Sequence, residues 1–362
     1  MIAPIRSLQV IGSPSMGGAE NSFVRLVHAL TAAGAPADAV TRSGSDVYRA
    51  LGDHERRFQV PMRNYFDLGT VMRLRSMLRE GAYPIVQTWA SRATWLTWAP
   101  RGTVHVARLG GYYRLRYFRH ADAWIVNTHG LREWMIANGF PSARVVQIDN
   151  FVPECTQPPP FTRAEVGVPD DAMLSIAFGR LVAKKGFADL LRAMAALPER
   201  FDGRPHHLLL MGDGPQRAAL EALVRELGLE ARVHFTGWID VAVAALPLAD
   251  VMICPSREEP LGNVILEAWS RRLPVVSTRT AGGNELIDDA VNGLLCAVQD
   301  PADLARAWRR LLSEPALSAE LAARGHERFA ARYSPQATVS AYADFYAGLL
   351  GRAQPTQDLL TR

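Results

Sequence analysis

The chain has 362 residues, room for two domains of ordinary size, with 48% hydrophobic and 21% charged residues and a formal net charge of +4. No apolar run reaches the length of a membrane span, residues 1–11 carry neither a long apolar core nor a small-residue cleavage site, and the three cysteines, Cys155, Cys254 and Cys296, are scattered without a C-x-x-C pair. These features argue against a spanning helix, a cysteine-built metal centre and a disulfide framework, and predict a cytoplasmic protein.

The charge is uneven. Residues 1–165 hold 19 arginines against 12 carboxylates, net +7, and the remainder is net −3. A basic first half predicts an acidic partner (anionic lipid, a phosphorylated glycan or nucleic acid) or else an arginine-rich solvated surface. Only two of the 40 cationic residues are lysines, Lys184 and Lys185, and they are adjacent. A compact ammonium is wanted at that place.

Residues 5–11 read as an apolar strand. The turn 13–18 then leads into a helix with Phe23, Leu26, Val27 and Leu30 on one face. Gly17 and Gly18 either let a ligand approach the backbone or simply make a tight turn. Residues 36–60 suggest a strand, a polar loop and a further short element. A helix follows at 67–79, with Leu68, Val71, Leu74 and Leu78 on one face. Residues 85–89 are a strand end, and Trp89, Trp95 and Trp98 suit a core or a sugar-stacking surface. After a strand at 103–107, the segment 108–120 mixes Arg108, Arg114, Arg116 and Arg119 with Tyr112, Tyr113, Tyr117 and Phe118. That mixture suits RNA, or an acceptor loop gripping a phosphorylated or lipid-linked sugar; no nucleic-acid motif accompanies it. A strand at 122–127, a helix at 128–138 and a strand at 145–148 complete an alternating pattern, which predicts a parallel doubly wound sheet.

Proline-rich residues 156–171 read as a linker between a first domain, 1–155, and a second, 172–334. The strand 173–178 runs into G-R-L-V-A-K-K-G. Gly179 permits a tight turn at the carboxyl edge of the sheet, Arg180 can grip phosphate oxygens bidentately, and Lys185 adds a point charge. Lys184 reads as an extra surface cation. The strand 207–211 ends in G-D-G-P at Gly212. A helix at 216–227 and a strand and turn at 233–238 follow. Residues 251–254 are a short buried strand, and the loop 257–262 carries two carboxylates and a glycine. Asn263 is positioned to cap a helix whose apolar face is Val264, Ile265, Ala268 and Trp269. Glu259 lies in the loop and Glu267 eight positions on, in the second turn. A helix start favours an anion, whereas a carboxylate one turn in suits a ribose diol and one before the helix suits sugar hydroxyls. The pattern fits sugar, diphosphate and nucleoside laid across one helix start, or two solvated surface carboxylates.

E-P-L-G-N-V-I-L-E followed by A-W-S-R-R-L-P-V-V-S-T resembles the E-x7-E signature of retaining glycosyltransferases of family 4. G-G-A-E at 17–20, G-R with K-K-G, G-D-G-P, A-G-G-N-E at 281–285 and N-G-L-L at 292–295 follow the same family pattern in order. The resemblance covers almost the whole chain and is strongest over 173–345. It implies the GT-B fold: α/β, two Rossmann-like parallel-sheet domains facing across a cleft, with a last helix at 335–351 crossing back to the first. Carried over by position, Glu259 would contact the donor sugar and Glu267 the donor ribose. The N–H groups of Gly262, Asn263 and Val264, with Arg180 and Lys185, would hold the diphosphate. Gly17, Gly18, Gly179 and Gly212 would border the donor, and the loop 233–238 the nucleobase. Glu259, Arg180 and Lys185 would serve catalysis; Arg108, Tyr112 and Tyr113 would face the acceptor.

The chain contains no D-x-D, so the resemblance implies a reaction without metal or cofactor, with retention of configuration by analogy. The tracts Q-T-W-A-S-R-A with R-L-G-G-Y-Y, and N-T-H-G-L with D-N-F-V-P, look like a bacterial subgroup that builds lipopolysaccharide. The implied function is transfer of a sugar from a nucleoside-diphosphate sugar to a cell-envelope glycan or lipid-linked acceptor. It would occur in the cytoplasm or peripherally on the inner membrane face, with an anionic membrane surface as a partner and no nucleic acid. Two departures stand out. Pro260-Leu261-Gly262 replaces the usual glycine-aromatic-glycine, and no histidine stands just after the strand ending at 107–109; His105 comes two or three positions early. Its role would pass to Arg108 or the backbone of Gly110-Gly111. Otherwise the chain would be a nucleotide-sugar-binding subunit without turnover, or, as a third class, an epimerase on the same fold.

Overall fold

The computed structural model describes residues 5–153, 157–239, 241–259 and 261–353. Cys155, Pro260 and the tail 354–362, expected to be frayed, lie outside the described residues. The chain forms two units: Met1–Phe151 with Pro335–Arg362, and Val152–Ser334.

The first unit is built on seven parallel strands, β1 (Ser7–Ile11), β2 (Ala37–Arg42), β3 (Arg57–Val60), β4 (Ile85–Trp89), β5 (Val104–Leu109), β6 (Ala123–Val126) and β7 (Val145–Gln147). Their spatial order is β3-β2-β1-β4-β5-β6-β7. The central strands are buried along their length, as a sheet covered on both faces requires. Local chemistry sets the helix starts. The side chains of Asp67 and Thr128 accept hydrogen bonds from Thr70 N and Leu131 N, capping the helices Leu68–Glu80 and His129–Ala137.

Two polar residues in the middle of this sheet need partners. Gln9 on β1 and Gln87 on β4 are fully buried. The terminal helix Pro335–Ala353 belongs to this unit and supplies them: Tyr346 Oη donates to Gln87 Oε1 at 2.8 Å and accepts from Gln9 Nε2 at 3.2 Å. Trp89 Nε1 donates to Gln9 Oε1 at 3.1 Å. Tyr342 and Tyr346 pack in the same cluster as Phe23, Leu26 and Trp89, so the helix that returns also closes the core.

The second unit holds β8 (Met173–Phe178), β9 (Arg200–Phe201), β10 (Arg204–Met211), β11 (Val233–Gly237), β12 (Val251–Cys254), β13 (Val275–Thr278) and β14 (Leu294–Cys296). The parallel order is β11-β10-β8-β12-β13-β14, with β9 pairing antiparallel to β10. Leu190, Leu191, Met194 and Trp308 form the core on one side; Ile265, Trp269, Phe329 and Tyr333 form it on the other.

The expected linker 156–171 does not stand apart. Its described residues fold onto the second unit: Val168 is buried, and Arg163 donates to Leu248 O, Asp170 O and Ala172 O. In both sheets the first strand lies between the second and fourth long strands, so the chain changes direction between β1 and β4 and between β8 and β12. Ligands of open α/β sheets bind outside the carboxyl ends at such a point.

Candidate active site

In the second unit the switch point is flanked by the exits of β8 and β12. β8 leaves through Gly179, at φ 144°, and the neighbouring β10 through Gly212, at φ 137°. A Cβ on Gly212 would stand 2.0 Å from Gly179 O. Gly179 N donates to Met211 O and Leu181 N to Asp213 O, at 3.0 and 2.9 Å. Gly212 is therefore demanded by contact between two loops and Gly179 by its positive φ, whatever else they border.

The K-K-G turn leans on the β12 exit in the same way. Gly186 caps the helix Phe187–Ala195 with φ 69°, and a Cβ there would lie 2.0 Å from Pro255 O. Arg257 N and Glu258 N donate to Lys184 O at 2.8 and 3.1 Å. The result is direct contact between two residues 74 positions apart: Lys185 Nζ lies 2.5 Å from Glu259 Oε2, with side chains 20% and 13% exposed. Ser256 Oγ donates to the same oxygen at 3.4 Å.

Two further contacts hold this loop. Arg257 donates from Nε and Nη2 to the two oxygens of Asp189, at 2.8 and 2.9 Å, a bidentate pair on a buried carboxylate in the first turn of that helix. Arg257 is raised above its ordinary value by this hydrogen bonding. From the other side, Gly282 N donates to Glu259 O at 2.7 Å, and a Cβ on Gly282 would come within 2.6 Å of Leu261 C. Asp189, Arg257 and Gly282 were not among the residues singled out from the sequence. The A-G-G tract is legible as a pattern, but nothing local points from Arg257 to a carboxylate 68 positions earlier.

The helix Asn263–Ser270 begins one residue sooner than expected. Gly262, at φ 76°, holds the cap position and Asn263 is the first helical residue. Asn263 is thus not the cap, and its buried Oδ1 has no hydrogen-bond partner among the described residues. Val264 follows it in the first turn, and Glu267, one turn on, is half-buried. Arg180 is exposed and makes no ion pair among the described residues. The structure thus brings Lys185 and Glu259 into contact and sets the first turn of Asn263–Ser270 beyond the same loop, with Gly179 and Arg180 at the adjacent strand exit.

The first-unit residues are placed less uniformly. Gly17 is extended and caps the helix Gly18–Ala32; a Cβ there would meet only Glu20 Oε2, at 2.8 Å. Gly18 has open space around it. Tyr112 is exposed and leans edge-on against Trp134, and half-buried Tyr113 stacks on Phe118. Burial, and then the charge of Glu20, push the Tyr113 phenol up.

Arg108 departs from its expected acceptor-facing role. It is 3% exposed, with Nη1 on Ile148 O (3.2 Å) and Tyr342 Oη (2.5 Å), Nη2 on Asn150 Oδ1 (2.6 Å), and its guanidinium over the Trp89 ring. The physical reason is that β5 runs on to Leu109, so Arg108 is a strand residue pointing into the core. His105 is buried, its Nε2 2.9 Å from Thr88 Oγ1; burial, with a smaller push from His120, lowers it to about 3, so the ring is neutral.

Two parallel-sheet Rossmann-like units, each with a switch point of this kind, define the GT-B class of glycosyltransferases. Residues 16–154 match the family model described as Glycosyltransferase Family 4, and residues 174–314 that described as Glycosyl transferases group 1. The chain is 35% identical over 346 residues to the lipopolysaccharide core biosynthesis glycosyltransferase LpsE of Rhizobium meliloti (strain 1021), covering 91% of this chain and 96% of that one. It is 33% identical over 334 residues to LpsD of the same organism, covering 91% and 95%. Its fold resembles the crystal structure of Anabaena HepE in complex with UDP, with a TM-score of 0.81 at 20% identity over 95% of this chain and 100% of that one. The chain belongs to this glycosyltransferase family and is an enzyme of the transferase class.

Proposed function

We propose that the protein moves a sugar from a nucleoside-diphosphate sugar to a lipopolysaccharide-core or lipid-linked glycan acceptor, without a metal ion and with retention of configuration. The observation that carries this reading is the Lys185–Glu259 pair at the switch point of the second unit. Before donor binds, each side chain neutralises the other. The arriving diphosphate takes over Lys185, assisted by Arg180 and by the N–H groups at the start of the helix Asn263–Ser270. Glu259 is then released to accept the hydroxyls of the donor sugar, while Glu267 takes the ribose diol. As the glycosidic bond breaks, negative charge grows on the leaving diphosphate, where Lys185 and Arg180 stabilise it; removing such a donor typically costs about 2.7–4 kcal/mol in the transition state.

The acceptor class is supported by the names of LpsE and LpsD, and a uridine nucleotide by the UDP bound to HepE. Tyr112 and Tyr113 are assigned to the acceptor side. The basic first half suits a peripheral position on the anionic inner face of a membrane.

The test is incubation with UDP-, GDP- and ADP-sugars, with and without EDTA, recording free nucleoside diphosphate and thermal stabilisation. Expected is stabilisation by one nucleotide class with slow, EDTA-insensitive release of its diphosphate. Lys185→Ala and Glu267→Ala should weaken donor binding in a folded protein. If candidate acceptors give no release either, the proposed transfer from a nucleoside-diphosphate sugar falls. If no nucleotide stabilises the folded protein, the donor site is misassigned.

A further inference from the structure

The stretch 61–119 carries ten arginines and only two carboxylates, more than the whole positive excess of the first half of the chain. Both carboxylates are engaged locally: Asp67 caps a helix, and Glu80 accepts from Ser76. The same stretch exposes large apolar side chains that no core needs. Phe66 is 86% exposed, Leu68 72% and Met72 68%, and Trp98 is also exposed.

These features form a pattern on one helix. In Leu68–Glu80 the inward face is Thr70, Leu74, Met77 and Leu78. Leu68, Met72, Arg75 and Arg79 recur at i, i+4, i+7 and i+11, which places them on one stripe pointing away from that core. All four are exposed. Phe66, whose carbonyl accepts from Leu68 N, extends the apolar end. The basic end opens on a groove of about 660 Å³ that Arg75 and Arg79 share with Pro100 and Arg101. Trp98, two residues before Pro100, stacks on His120 at 4.4 Å.

An apolar end running into an arginine-lined groove matches a bilayer surface, where side chains enter the headgroup boundary and cations meet lipid phosphates. A water-facing helix has no use for Leu68 and Met72 one turn apart beside exposed Phe66. We infer that the outward stripe of Leu68–Glu80, with Phe66, Trp98 and the Arg75–Arg79–Arg101 groove, is the docking face of this enzyme for an anionic lipid bilayer. The inference deepens the acceptor part of the proposed function and rests on that reading: a lipid-linked acceptor is reached from the membrane surface.

The test is sedimentation of the full chain with vesicles of phosphatidylcholine alone and with about a third phosphatidylglycerol. Expected is binding to the anionic vesicles only, weakened by salt. Each arginine near such a surface contributes roughly fivefold to binding, so Arg75→Gln with Arg79→Gln should lose about thirtyfold. The triple variant Phe66→Ser, Leu68→Ser, Met72→Ser should lose at least about tenfold. These side chains are exposed and belong to the first unit, whereas Lys185 and Glu259 belong to the second, so both variants should keep the parent's unfolding temperature and its donor-dependent release of nucleoside diphosphate. Inorganic phosphate at millimolar concentration should not displace the protein; displacement would reassign the groove to a free anion and overturn the inference. So would equal binding by parent and variants, or no binding to either vesicle. If the apolar triple variant instead converts a dimer to a monomer, the face pairs copies of the chain and the inference falls. Transfer measured in detergent without vesicles reports separately on the proposed function.

Discussion

The bidentate pair between Arg257 and Asp189 should govern turnover although neither residue need touch substrate. Asp189→Asn keeps the shape and removes the charge. One amide oxygen can still accept, but the amide NH2 then faces the guanidinium. Two hydrogen bonds of 2.8 and 2.9 Å between a cation and a carboxylate are reduced to one, from the cation to a neutral amide oxygen. Hydrogen bonds to charged groups contribute about 1.5–3 kcal/mol each, and Arg257, one-third exposed, recovers part of its solvation, so the expected loss is about 2 kcal/mol. For a unit of this size that is roughly 4–8 °C in unfolding temperature. The sharper readout is kinetic. Arg257 precedes Glu258-Glu259 and its own N–H is tied to Lys184 O, so freeing the side chain loosens the loop that sets Glu259 against Lys185. A displacement of about 1 Å at such a group can cost on the order of 100-fold. Asp189→Asn should therefore lower kcat by tenfold or more with a smaller change in donor KM, measured well below the unfolding temperature; Arg257→Lys, which keeps the charge but loses the fork, should fall in between. A lowered unfolding temperature with kcat unchanged would refute the positioning role and leave the pair a structural clamp.

Gly212→Ala should unfold or severely destabilise the second unit, by about 2–4 kcal/mol or more, because its Cβ would overlap Gly179 O; Gly18→Ala, in open space at a helix start, should be neutral or slightly stabilising, and chemical denaturation of the two variants checks both. Arg108→Ala should cost about 2–3 kcal/mol through the carbonyl, phenol and amide it leaves unpaired, with donor affinity unchanged by calorimetry. His105 and His206 are both lowered by burial to about 3 from an ordinary 6.5, so the unfolded chain binds more protons than the folded one between those values. Their contribution is fully present above about pH 6.5 and is lost as pH falls towards 3, on the order of 2 kcal/mol each by pH 5. Urea denaturation at pH 7 and 5 should show that loss, reduced in His105→Gln; equal slopes for parent and variant would contradict it.

Features set by neighbours in sequence were legible beforehand. The helices beginning after Asp67 and Thr128 follow from a capping side chain and a 3.6-residue apolar spacing, and the short strands from apolar runs between loop residues. Features set by distant backbone contacts were not. Asn263 outranks glycine as a cap by local preference, but the loop pressed against Gly282 enters its helix in a left-handed conformation, which selects Gly262. Arg108 was read as lying past the end of its strand; two more strand residues turned its side chain inward. The prolines of 156–171 suggest a spacer, yet Arg163 finds the carbonyls of Ala172 and Leu248 beyond that stretch. Lys185 and Glu259 were each assigned to a different part of one ligand, and only the folded loops put the two in contact with each other.

The return of Tyr346 to Gln9 and Gln87 also sets an order of events during synthesis. Tyr346 Oη bonds to residues 337 and 259 positions earlier. A ribosome adding about 5–20 residues per second needs roughly 10–40 s to pass from the end of residues 1–151 to that tyrosine. Throughout that interval the first sheet has emerged without the tyrosine that accepts from Gln9 and donates to Gln87, and without Tyr342 and Tyr346 in its core, while everything the second unit needs is completed first. The half of the protein made first is therefore finished last. A premature stop shortly before Pro335 would release an intact second unit and an unsealed sheet, so the aggregation-prone product would expose its amino-terminal half.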